Sequence, residues 1–272
     1  MRIGINAWTF PGNLSITQGF KVAKRGGFDC VELNVAEEGY LTMSSSQKDV
    51  ERLRESADGM SVELPSISTG LFWKYSLTSN DPAEVEMAKS VVRKMLDIAK
   101  WCGADTILVV PGTVTDEVAY DVAYERAKST LQELSKDAEA AGVWIGVENV
   151  WNKFLLSPLE MRDFIDEVGS DFVAAYFDIG NVLVSGYPDQ WIKILGSRIK
   201  KIHAKDFLRS VGNITGFCQI LEGDLDWIAV RDALRAINYD DVVTAEIGGY
   251  KTLPDLGIKH AGESLRRIFK GA

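Results

Sequence analysis

The sequence predicts an α/β fold, a closed (β/α)8 TIM barrel formed by residues 1–272 as a single domain. Three observations carry this reading. Short apolar runs rich in Val and Ile alternate with amphipathic stretches from end to end, eight of each, which favours a parallel barrel. The 272 residues match one such barrel, typically ~250 residues. No Gly-x-Gly-x-x-Gly or phosphate-loop lysine motif follows the first run, which argues against an open nucleotide-binding sheet.

The elements follow in order. The first strand is Ile3 to Trp8, and a helix from about Ser15 to Arg25 closes at Gly26-Gly27, a glycine stop. Phe28 to Asn34 is the second strand and Gln47 to Asp58 the second helix; Val62 to Ser68 is the third strand. A long helix opens at Asp81-Pro82, with proline at its tolerated first-turn position, and runs to Cys102. Thr106 to Val110 is strand four. The next helix, about Asp116 to Ala141, carries Ala, Leu and Tyr at helical spacing among charges. Strands five to eight end at Glu148, at Asp178, near His203 and near Glu246, with helices near Pro158–Val168, Asp189–Leu195, Asp226–Ile237 and Leu256–Phe269. The segment from Phe207 to Leu221 carries Gly212 and Gly216 without periodicity, and reads as an active-site loop.

Composition narrows the function. With 46% hydrophobic and 25% charged residues the chain suits a globular domain, and no stretch approaches the ~20 apolar residues of a membrane span. The amino terminus enters a strand directly, unlike a secretory signal. Cys30, Cys102 and Cys218 are far apart and odd in number, the pattern of reduced thiols, so a cytoplasmic location is expected. A net charge of −9 argues against nucleic acid or an anionic membrane as partner. A small metabolite remains, and homo-oligomerisation is left open.

Four residues carry the chemistry. Glu148, Asp178, His203 and Glu246 each end a short apolar run, at intervals of 30, 25 and 43 residues, the span of strand, crossover helix and next strand. In a barrel such strand ends converge on one mouth. Three carboxylates and an imidazole there would be costly uncompensated, whereas one divalent cation satisfies them all. Oxygen-dominated ligation with one imidazole suits Mn2+, Mg2+, Co2+ or Zn2+. Just past strand ends stand Trp8, Phe10, Phe72, Trp73 and Trp151, apolar walls for the carbon face of a polyol. Asn149, Asn152, Lys153, Asn181, Lys205, Asp206 and Arg209 supply polar groups on the same side, and Trp8, Phe72, Trp73, Asn181, Lys205 and Arg209 are the candidate substrate contacts.

At Ser68-Thr69-Gly70-Leu71-Phe72-Trp73, Val147-Glu148, Asp178-Ile179-Gly180-Asn181, His203-Ala204-Lys205-Asp206 and Glu222-Gly223-Asp224, the chain resembles the xylose-isomerase-like barrel superfamily of sugar isomerases and epimerases. Within it the chain is most similar to L-ribulose-5-phosphate and L-xylulose-5-phosphate 3-epimerases. Trp151 and the loop after His203 depart from that pattern. The resemblance implies Glu148, Asp178, His203 and Glu246 as metal ligands and a keto-sugar, free or phosphorylated, as substrate. Epimerisation removes a carbon proton beside the ketone and returns one to the opposite face, so Glu148 and Glu246 suit the roles of base and acid. The metal would stabilise the enediolate. Aldose–ketose isomerisation uses the same parts. An inosose-type dehydratase is the alternative on this fold. A DNA-repair endonuclease would need more histidines than His203 and His260. Lys205, Arg209, Gly212 and Gly216 make a phosphorylated keto-sugar the expected substrate, because arginine can grip phosphate through two bonds.

Overall fold

A computed structural model describes residues 1–271. Seven strands come first: β1 (Arg2–Asn6), β2 (Cys30–Val35), β3 (Ser66–Thr69), β4 (Thr106–Val109), β5 (Trp144–Glu148), β6 (Val173–Asp178) and β7 (Ile199–Ala204). A small hairpin, β8 (Asp206–Phe207) with β9 (Phe217–Cys218), precedes β10 (Val242–Ala245). The strands β1 to β7 and β10 pair in parallel around a closed barrel, sealed where Ile3 of β1 pairs with Val243 of β10. Among the described residues eight α-helices cover it: α1 (Ile16–Arg25), α2 (Gln47–Asp58), α3 (Pro82–Cys102), α4 (Tyr120–Ala141), α5 (Pro158–Val168), α6 (Pro188–Leu195), α7 (Trp227–Ala236) and α8 (Pro254–Lys270). The expected (β/α)8 TIM barrel is the observed fold. Among the described residues no helix is long and apolar enough to cross a membrane.

Local chemistry sets the boundaries. Ser15 and Ser46 form reciprocal capping boxes with Gln18 and Asp49 at the starts of α1 and α2. The carboxylate of Asp81 accepts from Ala83 N, with Pro82 in the first turn of α3. Two expected boundaries shift. β3 begins at Ser66 and not at Val62, because Pro65 has no N–H to give to a ladder. The α4 helix begins at Tyr120 and not near Asp116, because the Thr115 hydroxyl accepts from the N–H of Glu117 and Val118 and folds that stretch into a turn. The expected loop Phe207–Leu221 contains β9 and a one-turn 3-10 helix, Ile214–Gly216, pieces too short to leave a periodicity.

Strand alternation divides the side chains between two surroundings. On β6, Phe177 stacks against Trp191 of α6, whereas Tyr176 and Asp178 turn into the barrel. On β7, Lys201 and His203 point inward, and Lys205 follows just past the strand end. Lys201 is buried at the floor between Asp105 and Asp241, 2.7 and 2.5 Å away. The mouth, at the other end, holds the functional groups.

Candidate metal centre and active site

The parallel ladders bring the four strand-end residues together. Asp178 lies opposite His203 in the β6–β7 register, Glu148 closes β5 next to β6, and the N–H of Glu246 bonds to Ala204 O at 2.9 Å, extending β10 along β7. One donor atom from each of Glu148, Asp178, His203 and Glu246 lies within 4.8 Å of the others. Bonds of about 2.0–2.2 Å to one ion would hold such atoms roughly 3–4 Å apart. The His203 Nδ1 atom is buried with no hydrogen-bond partner, and faces Glu246 Oε2 at 3.4 Å, Glu148 Oε1 at 3.6 Å and Asp178 Oδ2 at 4.0 Å. An orphaned imidazole nitrogen ringed by carboxylates is the donor set a divalent cation takes, so these four residues could hold one metal ion.

Each member is held in place. Asp178 is fully buried; its Oδ1 accepts from Asn181 N at 2.7 Å and its Oδ2 from Lys205 Nζ at 2.5 Å. Asn149, just past β5, clamps the Asp178 backbone, accepting from its N–H and donating to its C=O. The turn Asp-Ile-Gly-Asn needs its glycine because a Cβ on Gly180 would lie 2.7 Å from Lys205 O. Lys205 also donates to Glu246 Oε2 at 2.5 Å, and Trp8 Nε1 stands 3.3 Å from Glu246 Oε1.

The two glutamates sit in contrasting fields. Burial, then the charges of Glu246 and Asp178, push the Glu148 carboxyl up to about 7 against the pull of His203. Burial acts on Glu246 too, yet His203 and Lys205 outweigh it and hold that carboxyl well below the ordinary range. Burial would lower Lys205, but Asp178 and Glu246 keep its ammonium charged.

Above the cluster opens a cavity of about 770 Å³ lined by Trp8, Asn34, Ser68, Thr69, Trp73, Leu108, Trp151, Asn181, Lys205, Phe217, Glu148 and Glu246, among others. Trp8, Trp73, Asn181 and Lys205 therefore gather where the sequence placed them. Phe72 and Arg209 do not line it. Phe72 is buried in the apolar core, and the Arg209 guanidinium lies 5.1 Å over the Tyr187 ring. Lys153 lines a neighbouring cavity of about 350 Å³ behind Trp151, and Asn152 is tied to Gly112 O. Asp206 does not line this cavity: it accepts from Phe207 N, Leu221 N, Leu225 N and Trp227 Nε1, clasping both ends of the hairpin loop.

Sequence reasoning missed Glu32. This fully buried carboxylate on β2 accepts from His203 Nε2 at 2.7 Å, Asn6 Nδ2 at 2.5 Å, Ser66 Oγ at 2.6 Å and the Tyr176 hydroxyl. Its only signal was an acid in mid-strand, between Val31 and Leu33.

The profile of the xylose isomerase-like TIM barrel family matches residues 20–268, and the chain belongs to that family of enzymes. A D-psicose 3-epimerase of Enterocloster bolteae is 28% identical over 81% of this chain and 72% of its own. A putative L-ribulose-5-phosphate 3-epimerase of Escherichia coli is 26% identical over 88% and 85%. Among solved structures, an L-ribulose 3-epimerase superposes with a TM-score of 0.85 at 19% identity, covering 99% of this chain and 95% of that one. The IOLI protein, solved with a bound zinc atom, superposes at 0.83 and 19% identity over 100% and 99%. At these identities the two structures speak for the fold.

Proposed function

We propose that the protein is a divalent-metal-dependent epimerase of an unphosphorylated keto-sugar, inverting the carbon beside the ketone. The observation that carries the reading is the convergence of Glu148 and Glu246, from separate strands, on one cavity beside the unpartnered His203 Nδ1. Glu148, Asp178, His203 and Glu246 would hold the ion, which when bound supplies the positive charge that stabilises an oxyanion next to the reacting carbon. Two carboxylates from different sides of a cavity suit removal of a carbon proton at one face and its return at the other. Trp8, Trp73 and Trp151 wall off water and offer faces to the carbon skeleton, and Asn181 is fixed by its bonds to Asp178 and Asn149. The relatives named for 3-epimerases support inversion at C3.

The lining supports a free sugar over the phosphate expected from sequence. Its charged residues are Glu148, Glu246 and Lys205, and the one cation among them is engaged by two carboxylates. Arg209, the expected phosphate grip, is stacked on Tyr187 outside the cavity. The test is a panel of ketopentoses, ketohexoses and their phosphates with Mn2+ or Zn2+, products resolved by chromatography, in wild type and Arg209→Ala. Free ketoses should be epimerised at least as efficiently as their phosphates, and Arg209→Ala should change this within a few-fold. A phosphate advantage of roughly a hundredfold that vanishes in Arg209→Ala would return the reading to a sugar phosphate. A product lacking water would make the enzyme a dehydratase.

A further inference from the structure

The bond between Glu32 and His203 crosses the barrel interior. β2 and β7 are not neighbours in the sheet, since β1 and β10 stand between them on the shorter way round. The carboxylate that makes this bond is enclosed by donors: the Ser66 and Tyr176 hydroxyls at Oε2, the Asn6 amide at Oε1. The Asn6 amide is itself oriented, because its Oδ1 accepts from Trp8 N at 3.0 Å. An ionised carboxylate only accepts, so the imidazole atom 2.7 Å from Oε1 has to be a donor, Nε2–H. The Tyr176 ring, edge-on with its centroid 4.6 Å from that of His203, fixes the plane in which the imidazole lies. The other nitrogen, Nδ1, is the one turned toward Glu148, Asp178 and Glu246. A carboxylate with no exposed surface is costly to bury if packing is its only task.

We propose that Glu32 is a positioning residue for the metal centre, holding His203 as the Nε2–H tautomer so that the Nδ1 lone pair is presented to the cation. The proposal rests on the reading of the four-residue cluster as a metal site and adds to it a residue outside that cluster. Removing such an outer partner of a ligating histidine costs metal affinity by about 10–100-fold.

His203 and His260 are the only histidines, which makes the imidazole spectrum simple. The full-length protein, labelled with ¹⁵N in its imidazoles and loaded with Zn2+ alone, would be examined by long-range ¹H–¹⁵N correlation, with His260→Gln giving the assignment. His203 should appear with Nδ1 on the metal and with an Nε2 proton far downfield and slow to exchange. In Glu32→Gln that proton should move upfield and exchange faster, and Zn2+ affinity, read by competition with a chelating dye, should fall about 10–100-fold while the far-UV circular dichroism is unchanged. Zinc bound through Nε2 in the wild type overturns the proposal, as does a folded Glu32→Gln protein of wild-type affinity. Should Glu32→Gln not fold, the wild-type tautomer decides alone. A wild-type protein that binds no Zn2+ overturns the metal reading itself, an outcome distinct from binding through the wrong nitrogen.

Discussion

Replacing Asp178 with Asn exchanges one oxygen for an amide nitrogen at nearly constant volume, and the surroundings tolerate neither orientation of that amide. The two carboxylate oxygens accept from Asn181 N at 2.7 Å and from Lys205 Nζ at 2.5 Å. Whichever way the amide is turned, its NH2 meets another donor. An unsatisfied buried donor costs about 1–3 kcal/mol. At about 2–4 °C per kcal/mol for a chain near this size, Asp178→Asn should lower Tm by roughly 2–12 °C in EDTA and still fold. The larger effect is on the ion, because the amide carries no negative charge and, with its nitrogen turned to the cluster, has no lone pair to offer. Saturating the wild type with Zn2+ at a hundred times its Kd should stabilise it by about 2.7 kcal/mol, roughly 5–11 °C. Asp178→Asn should lose most of that increment. Calorimetric scans of both proteins with and without Zn2+, joined to isothermal titration, measure both quantities. An equal thermal gain and an equal Kd in Asp178→Asn would refute the assignment of the cluster as a metal site.

Glu148→Gln and Glu246→Gln should each slow epimerisation by about 10²–10⁴-fold on whichever ketose the panel identifies, and near-wild-type turnover in either would remove that residue from acid–base chemistry. At the floor, Lys201→Met should destabilise by less than the ~3–5 kcal/mol of a fully buried broken pair, since Asp105 and Asp241 retain solvent contact, and the epimerase rate should not change. Burial would raise the Asp241 carboxyl, but Lys201 and Arg2 hold it below the ordinary value. A depressed folded value stabilises above the unfolded one, near pH 4, and that contribution fades as pH falls through the folded value. Denaturant titrations should therefore find the gap between wild type and Lys201→Met narrowing below about pH 4; a constant gap would contradict the ion pair.

The parts of this protein that sequence made legible are those written in local pattern. Apolar runs ending in Glu148, Asp178, His203 and Glu246 at strand-to-strand spacing were enough to place all four at one mouth, because a parallel barrel leaves few other arrangements. Helix starts at Ser15, Gln47 and Asp81 were equally local. Side-chain direction was not. Phe72 and Arg209 have the right chemistry and a position near a strand end, yet one turns into the core and the other onto Tyr187. Glu32 was silent for a related reason. Its partners lie at positions 6, 66, 176 and 203, and no periodicity links an acid on one strand to an imidazole across a barrel.

That crossing bond divides the barrel unevenly. The strands from β5 onward carry Glu148, Asp178 and His203, with Glu246 directly after the last, whereas Asn6, Glu32 and Ser66 come from β1, β2 and β3. One half of the chain thus bears the cluster and the other bears the group against which its histidine is braced. Neither half is complete until β1 has zipped onto β10 and the circle is shut. An ion held by the cluster would report on that seam, and by linkage it would also tighten it: opening the barrel between the first and last strands would cost His203 its brace and the ion about 10–100-fold of its affinity.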